Sequence, residues 1–175
     1  MIAKFIRHGE TDLNNPVRRM QGISNYDINE NGIKQAETTR DKLSNEEFDL
    51  IITSPLKRAM HTAQIINATK NIPIIIDKRI IERDYGQLEG KPFKREYCDL
   101  DFEFESLGGE SIENYKIRLN DFIKDIKSKY DGKNILVVAH NGVISVLSCI
   151  LEGIPEDNNF ENRGIKNGDI KEFII

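Results

Sequence analysis

The chain has 175 residues, the usual size of one domain, so residues 1–175 are expected to form a single domain. Lys plus Arg number 25 against 29 Asp plus Glu, and this net charge of −4 argues against a nucleic acid or an anionic membrane surface as partner. The two cysteines, Cys98 and Cys149, are too few for a disulfide framework or a cysteine-built metal site, and are expected to be reduced thiols.

No part of the sequence has the pattern of a membrane span or a secretion signal. The longest apolar run, Val143 to Leu151, is interrupted by Ser145 and Ser148 and falls short of the ~20 residues that cross a bilayer. Met1 is followed directly by the short run Ile2–Ile6, without a longer apolar segment and cleavage site. We therefore expect a cytoplasmic protein.

Short apolar runs and helical periodicity alternate along the first part of the chain. Ile2–Ile6 predicts a first strand, Asn29–Leu43 a helix, and Leu50–Thr53 a second strand. Ser54 as N-cap and Pro55 at a helix start then predict a second helix. Its buried face is expected to carry Ala59, Thr62, Ala63 and Ile66.

The middle of the chain contains the longest predicted helix. Ile74–Ile76 predicts a third strand, and the stretch from Glu82 to Gly109 has weak periodicity, typical of loops with short helices. Ser111–Lys129 predicts a long amphipathic helix. Its apolar residues stand at helical spacing and are expected to belong to the core: Ile112, Tyr115, Leu119, Phe122 and Ile126.

The last part of the chain completes the alternating pattern. Ile135–Ala139 predicts a fully buried strand, Gly142–Leu151 a helix, and Ile170–Ile175 an edge strand. Strands that are apolar throughout and alternate with helices indicate a mainly parallel sheet covered on both faces. The predicted fold class is therefore α/β, a three-layer α/β/α sandwich.

Ligands of such open sheets bind outside the carboxyl ends of the strands. Three predicted strands end in chemically active segments, namely Arg7–Gly9, Ser54–Arg58 and His140–Gly142. Residues that are far apart in the sequence are therefore expected to meet in one crevice.

Two imidazoles and two guanidinium groups would come together there. Arg7 and Arg58 offer the paired donors that suit the oxygens of a phosphoryl group. A neutral imidazole of His8 or His140 could act as nucleophile on phosphorus while the arginines stabilise the negative charge, so that no Mg²⁺ is needed. Two histidines without a cysteine or a close carboxylate at ligand spacing make a poor zinc site.

The segment Arg7–Thr11 resembles the signature of the histidine phosphatase superfamily, also called the phosphoglycerate mutase-like family. The resemblance continues in the family's order along almost the whole chain, which makes it far more specific than one short motif. The further matching segments are Asn14 with Arg19 and Gln21-Gly22, Ser54–Ala59, Glu82–Gly86 with Glu89-Gly90, Gly109–Ser111 with Arg118, and Val138–His140.

This resemblance implies a role for each candidate residue. His8 is implied as the nucleophile that forms a phosphohistidine, with Arg7, Arg58 and His140 binding the phosphoryl oxygens. Glu82 is implied as general acid to the leaving alkoxide and then as general base to the acceptor. No metal ion and no cofactor is expected. The phosphate and substrate pocket is expected to include Asn14, Gln21, Gly22, Asn141 and Gly142.

Three positions depart from the family's pattern. Leu13 stands where the family often has tryptophan, Asn25 where it frequently has aspartate, and Asn141 where it commonly has glycine. None of these changes removes a catalytic group, so they concern the identity of the substrate and not the type of reaction.

The leading hypothesis is a metal-independent phosphatase of the short branch that acts on a small phosphorylated metabolite, similar to α-ribazole phosphatases or to broad-specificity members. Family mutases usually carry a longer segment than Lys91–Gly108 here, which caps their pocket, and a more open pocket favours water as acceptor. A 2,3-bisphosphoglycerate-dependent phosphoglycerate mutase is the alternative. A non-catalytic module that binds a phosphorylated ligand is a third hypothesis, although all five candidate catalytic residues are retained.

Overall fold

The computed structural model describes residues 2–175 and contains a central sheet of five strands. The strand order is β3-β2-β4-β1-β5; the first four strands are parallel, and β5 is antiparallel to β1. In chain order the strands are β1 (Ile2–Arg7), β2 (Leu50–Thr53), β3 (Ile74–Ile76), β4 (Ile135–Ala139) and β5 (Ile170–Ile174). The predicted mainly parallel sheet, with the last strand at an edge, is confirmed.

Helices cover both faces of this sheet. They are α1 (Glu30–Lys42), α2 (Lys57–Asn67), α3 (Ile112–Lys129) and α4 (Asn141–Glu152). Helices α1 and α2 pack together on one face, and α3 and α4 pack together on the other. The architecture is the predicted three-layer α/β/α sandwich, and none of the described helices is long and apolar enough to cross a membrane.

Strand β4 lies at the centre of the core and is buried along its whole length. Because side chains alternate along a strand, Leu136 and Val138 pack with Ala63 of α2, whereas Val137 packs with Phe122 of α3 on the opposite face. A strand that is apolar on both faces can be accommodated only between two helical layers, which explains the continuous apolar run in this part of the sequence.

The predicted start of the second helix is wrong. Helix α2 begins at Lys57, and Ser54 is not its N-cap. A hydrogen bond of 2.7 Å joins the Ser54 hydroxyl to Nε2 of His140 instead. Oδ1 of Asn25, from a distant loop, accepts the N–H of Lys57 at 2.8 Å and thereby satisfies a donor in the first turn of the helix.

Candidate active site

The carboxyl ends of β1, β2 and β4 bring together residues that are far apart in the sequence. The N–H of His8 donates to the carbonyl of Ala139 at 3.0 Å, and the N–H of Ser54 donates to the carbonyl of Val138 at 3.0 Å. The imidazole rings of His8 and His140 consequently lie side by side, with their centroids 5.2 Å apart. The predicted convergence at this edge of the sheet is present.

His8 is held in one tautomer and in its neutral form. Its Nδ1 lies 2.7 Å from the carbonyl oxygen of Gly9; because a carbonyl only accepts, Nδ1 carries the hydrogen and Nε2 keeps its lone pair. The ring is only 4% exposed. Burial, together with the positive charges of Arg58 and Arg7, lowers the pKa of His8 well below its usual range. Nε2 therefore keeps an available lone pair near neutral pH.

The guanidinium group of Arg58 is fully buried and clamped by backbone carbonyls. Nη1 donates to Ser24 at 2.6 Å, and Nη2 donates to Gln21 at 3.0 Å and to Gly22 at 2.7 Å. Burial lowers the pKa of Arg58 to about 10, with an opposing contribution from Glu82, so it stays positively charged at neutral pH. Its Nε has no partner among the described residues.

Arg7 supplies a second positive charge and is half-buried. Its Nη1 donates to the carbonyl of Ile165 at 2.8 Å, while its Nε has no partner among the described residues. Burial first, and then the charge of Arg18, lower the pKa of Arg7 to about 10. Arg7 lines the same cleft as His8, so its positive charge lies close to the imidazole ring.

Several buried polar atoms around His8 lack a hydrogen-bond partner within the described part of the chain. An unsatisfied buried polar group costs about 1–3 kcal/mol, so such a group of atoms indicates a place for a polar ligand. With two guanidinium groups among them, they suit a tetrahedral anion. These atoms are Nε of Arg7, Nε of Arg58, Nε2 of Gln21 and Nδ1 of His140; others of this kind belong to Arg83 and Ser145.

Glu82 lies in the same cleft, 5% exposed, and its carboxylate is fixed by three donors. Oε1 accepts the hydroxyl of Tyr115 at 2.7 Å and the N–H of Arg83 at 3.0 Å, and Oε2 accepts the N–H of Gly142 at 3.0 Å. A Cβ at Gly142 would lie 2.4 Å from Oε1, so only glycine allows this approach. Gly142 is predicted to belong to the phosphate pocket, and in the structure its N–H donates to Glu82.

Arg118 fixes the backbone at Glu82 through hydrogen bonds to two carbonyl groups. Arg118 donates to the carbonyl of Ile81 at 2.8 Å and to that of Glu82 at 3.2 Å. Its orientation is set by a two-pronged ion pair with Glu110, at 2.7 and 2.8 Å. This pair is half-buried and well aligned, which stabilises it more than an exposed ion pair.

The predicted amide residues also stand at the cleft. Oδ1 of Asn14 accepts the N–H of Thr11 at 3.0 Å, which leaves the donor end of the amide for a ligand. Oδ1 of Asn141 accepts the N–H of Ile165 at 3.0 Å. Asn167, which the sequence did not single out, donates to the carbonyl of His8 at 2.9 Å.

The walls of the cleft contain residues that the motifs did not reveal. Phe93, Tyr97 and Phe160 line it, and Arg18 stacks over Phe93 at 3.5 Å from the ring centroid while forming an ion pair with Glu161. Two of these aromatic residues come from the segment 91–108, so this short segment forms part of the cleft wall. Phe93 lies in a loop, whereas Tyr97 and Phe160 lie in one-turn 3-10 helices. Segments this short have no periodicity, and no sequence signal marked these residues.

The chain is similar to known phosphatases and mutases. A sequence model of the histidine phosphatase superfamily (branch 1) matches residues 4–174. Phosphoserine phosphatase 1 of Hydrogenobacter thermophilus is 33% identical, over 86% of this chain and 75% of that protein. The 2,3-bisphosphoglycerate-dependent phosphoglycerate mutase of Cytophaga hutchinsonii is 34% identical, over 89% of this chain and 80% of that protein. The crystal structure of the α-ribazole phosphatase from Shigella flexneri matches 100% of this chain and 91% of that chain with a TM-score of 0.85 and 27% identity.

Proposed function

The chain belongs to the histidine phosphatase superfamily, and we propose that it is a metal-independent phosphatase of small phosphomonoesters. One observation carries the proposal: His8 presents a neutral Nε2 within a group of buried donors that have no partner among the described residues. A nucleophile on phosphorus requires the lone pair, and the negative charge of the phosphoryl group requires the donors.

In the first step, Nε2 of His8 attacks phosphorus and the bond between phosphorus and the ester oxygen breaks. Arg7, Arg58 and His140 hold the phosphoryl oxygens, and the carboxyl group of Glu82 gives its proton to the leaving alkoxide. The products of this step are a phosphohistidine, an alcohol and the Glu82 carboxylate. The hydrogen bond from Nδ1 of His8 to Gly9 persists and supports the charge on the modified ring.

In the second step, the Glu82 carboxylate takes a proton from water as the water oxygen attacks phosphorus. The bond between phosphorus and Nε2 breaks, inorganic phosphate leaves, and both His8 and Glu82 return to their starting forms. Asn14, Gln21 and Asn141 are assigned to the phosphate and substrate pocket. Gly22 and Gly142 are assigned to the same pocket as positions where a side chain would collide with Glu89 and Glu82.

A phosphoglycerate mutase is the second candidate, because one of the relatives carries that name. The two activities share the phosphohistidine and differ in the acceptor, which is water in one case and a phosphoglycerate hydroxyl in the other. The short segment 91–108 favours water, since longer segments cap the pocket of family mutases. The names of the relatives make phosphoserine and α-ribazole phosphate the first substrates to test.

The test is phosphate release by the purified protein in the presence of EDTA. The panel contains an aryl phosphate, phosphoserine, α-ribazole phosphate, a sugar phosphate and 3-phosphoglycerate, and His8→Ala is the control. We expect metal-independent release that the control lacks. In a second assay with 2,3-bisphosphoglycerate added to 3-phosphoglycerate, phosphate transfer that is faster than phosphate release would favour the mutase. Binding of phosphate without either activity would favour the non-catalytic module.

A further inference from the structure

The carboxylate of Glu89 holds a backbone loop beside the proposed phosphate site. It accepts the N–H groups of Gly22 at 3.2 Å, Ile23 at 3.1 Å and Ser24 at 3.3 Å, and also the hydroxyl of Ser24. The N–H of Tyr85 completes the set at 3.2 Å. One half-buried carboxylate thus organises three consecutive residues of this loop and ties them to the segment that follows Glu82.

Arg58 binds the same loop through the carbonyl groups of the loop. The carbonyls of Gln21, Gly22 and Ser24 accept all three hydrogen bonds from its Nη atoms. Two of the peptide groups that donate to Glu89, those that join Gln21 to Gly22 and Gly22 to Ile23, thus also carry a carbonyl that accepts from Arg58. Because Nη1 and Nη2 are engaged in this way, the direction of the unpaired Nε of Arg58 depends on the position of the loop.

The packing leaves little freedom between the loop and the carboxylate. A Cβ at Gly22 would lie 2.0 Å from Oε1 of Glu89 and 2.3 Å from the carbonyl oxygen of Arg83, so the loop backbone is pressed against both. The negative charge of Glu89 also acts on Arg58, whose pKa it raises against the larger effect of burial. A shift of the carboxylate would therefore be transmitted to the guanidinium group.

We propose that Glu89 is a positioning residue that acts through Arg58, by fixing the loop Gln21–Ser24 so that Nε of Arg58 is directed at the phosphoryl group. The inference rests on the proposed function in that Arg58 is assigned to the phosphoryl oxygens. Glu89 itself touches neither substrate nor reacting atoms, and its contribution is the orientation of a buried donor.

The test uses Glu89→Gln, which keeps the size of the side chain. It replaces one acceptor oxygen with an NH2 group, which cannot accept the N–H groups that face it. The probes are orthovanadate and inorganic phosphate, and the affinity of each is measured by calorimetry, which needs no activity. A misplacement of about 1 Å can cost on the order of 100-fold at such sites, so we expect vanadate affinity to fall tenfold or more. The matched control is Asp49→Asn. The carboxylate of Asp49 likewise accepts a backbone N–H, that of Asn134, and it pairs with Lys133. Asp49 lies directly before β2, at the amino ends of the strands, whereas the site lies at their carboxyl ends.

A double-mutant cycle separates positioning from a purely structural role. If Glu89 acts through Arg58, Glu89→Gln changes vanadate affinity less than twofold in an Arg58→Lys background. Equal losses in both backgrounds, or no loss in the single variant, would overturn the proposal. If Glu89→Gln fails to fold, Ser24→Ala takes its place, since it removes one donor to the carboxylate. Its loss of vanadate affinity should be smaller and should likewise disappear in the Arg58→Lys background. If the wild-type chain binds phosphate but hydrolyses no phosphomonoester, the proposed phosphatase activity is refuted. The double-mutant cycle, which measures binding, still decides the role of Glu89 in that case.

Discussion

The backbone N–H of Gly142 lies 3.0 Å from Oε2 of Glu82, at a distance that only a residue without a Cβ permits. The first residues of α4 thereby hold the proposed acid/base group in the cleft that also contains His8. The sequence predicts Gly142 as part of the phosphate pocket, and in the structure its N–H donates to the carboxylate of Glu82.

Gly142→Ala tests this contact. The added methyl group would lie 2.4 Å from Oε1 of Glu82 and must displace the carboxylate, so we expect kcat to fall by about 100-fold. Alanine is a better helix former than glycine, so no comparable loss of helix stability is expected. Steady-state kinetics measure kcat, and denaturant unfolding measures the stability. An unchanged kcat would contradict the role assigned to the contact between Gly142 and Glu82.

Tyr115→Phe removes the hydroxyl that donates to Oε1 of Glu82 at 2.7 Å. We expect stability to fall by about 1 kcal/mol, and kcat to fall about tenfold because the carboxyl group loses one of its three donors. Denaturant unfolding and kinetics measure both. Tyr130→Phe, at the end of the same helix, is the matched control and should change neither quantity. Equal effects of the two variants would remove the assigned role of Tyr115.

Stability is expected to fall on mild acidification because of two buried histidines. Burial and the neighbouring arginines lower the pKa values of His8 and His140 well below 6.5. Below about pH 6.5 the unfolded chain therefore binds protons that the folded chain does not, and each histidine removes up to about 1.4 kcal/mol per pH unit. Unfolding at pH 8, 6.5 and 5.5 measures this, and His140→Gln should flatten the dependence. A stability that rises toward pH 5.5 would contradict the neutral state of both rings.

Phosphate is expected to stabilise the folded chain, since it would satisfy buried donors of Arg7, Arg58 and Gln21. At 100 times its Kd a ligand adds about 2.7 kcal/mol, which corresponds to a rise in Tm of about 5 °C or more for a chain of this size. Thermal unfolding with phosphate, against sodium chloride at equal ionic strength, measures the rise. Arg58→Lys should lose most of it, and an equal rise in the variant would contradict the assignment of Arg58.

The secondary structure was largely predictable because strands such as β4 are apolar throughout and α3 has clear helical periodicity. The start of α2 was not, since the partner of Ser54 is His140, 86 positions away, and the donor of Lys57 is satisfied by Asn25. Local capping rules cannot detect such long-range competition for a side chain.

The candidate site was predictable as a set of residues but not as a geometry. Tyr115 was expected only as a core residue; it is buried as expected, but its hydroxyl reaches Glu82. The clamp on Arg58 depends on carbonyl groups, whose directions no side-chain pattern encodes. Phe93 reaches the cleft from an irregular segment, where periodicity gives no information.

The most direct test of the central claim is to trap the proposed phosphohistidine. The purified protein is mixed with an aryl phosphate, quenched in alkali, in which phosphohistidine is stable, and analysed by peptide mass spectrometry. We expect one added phosphoryl group on His8, absent from His8→Ala and formed at least as fast as phosphate is released. Phosphate release without a label on His8, or with the label on another residue, would contradict it.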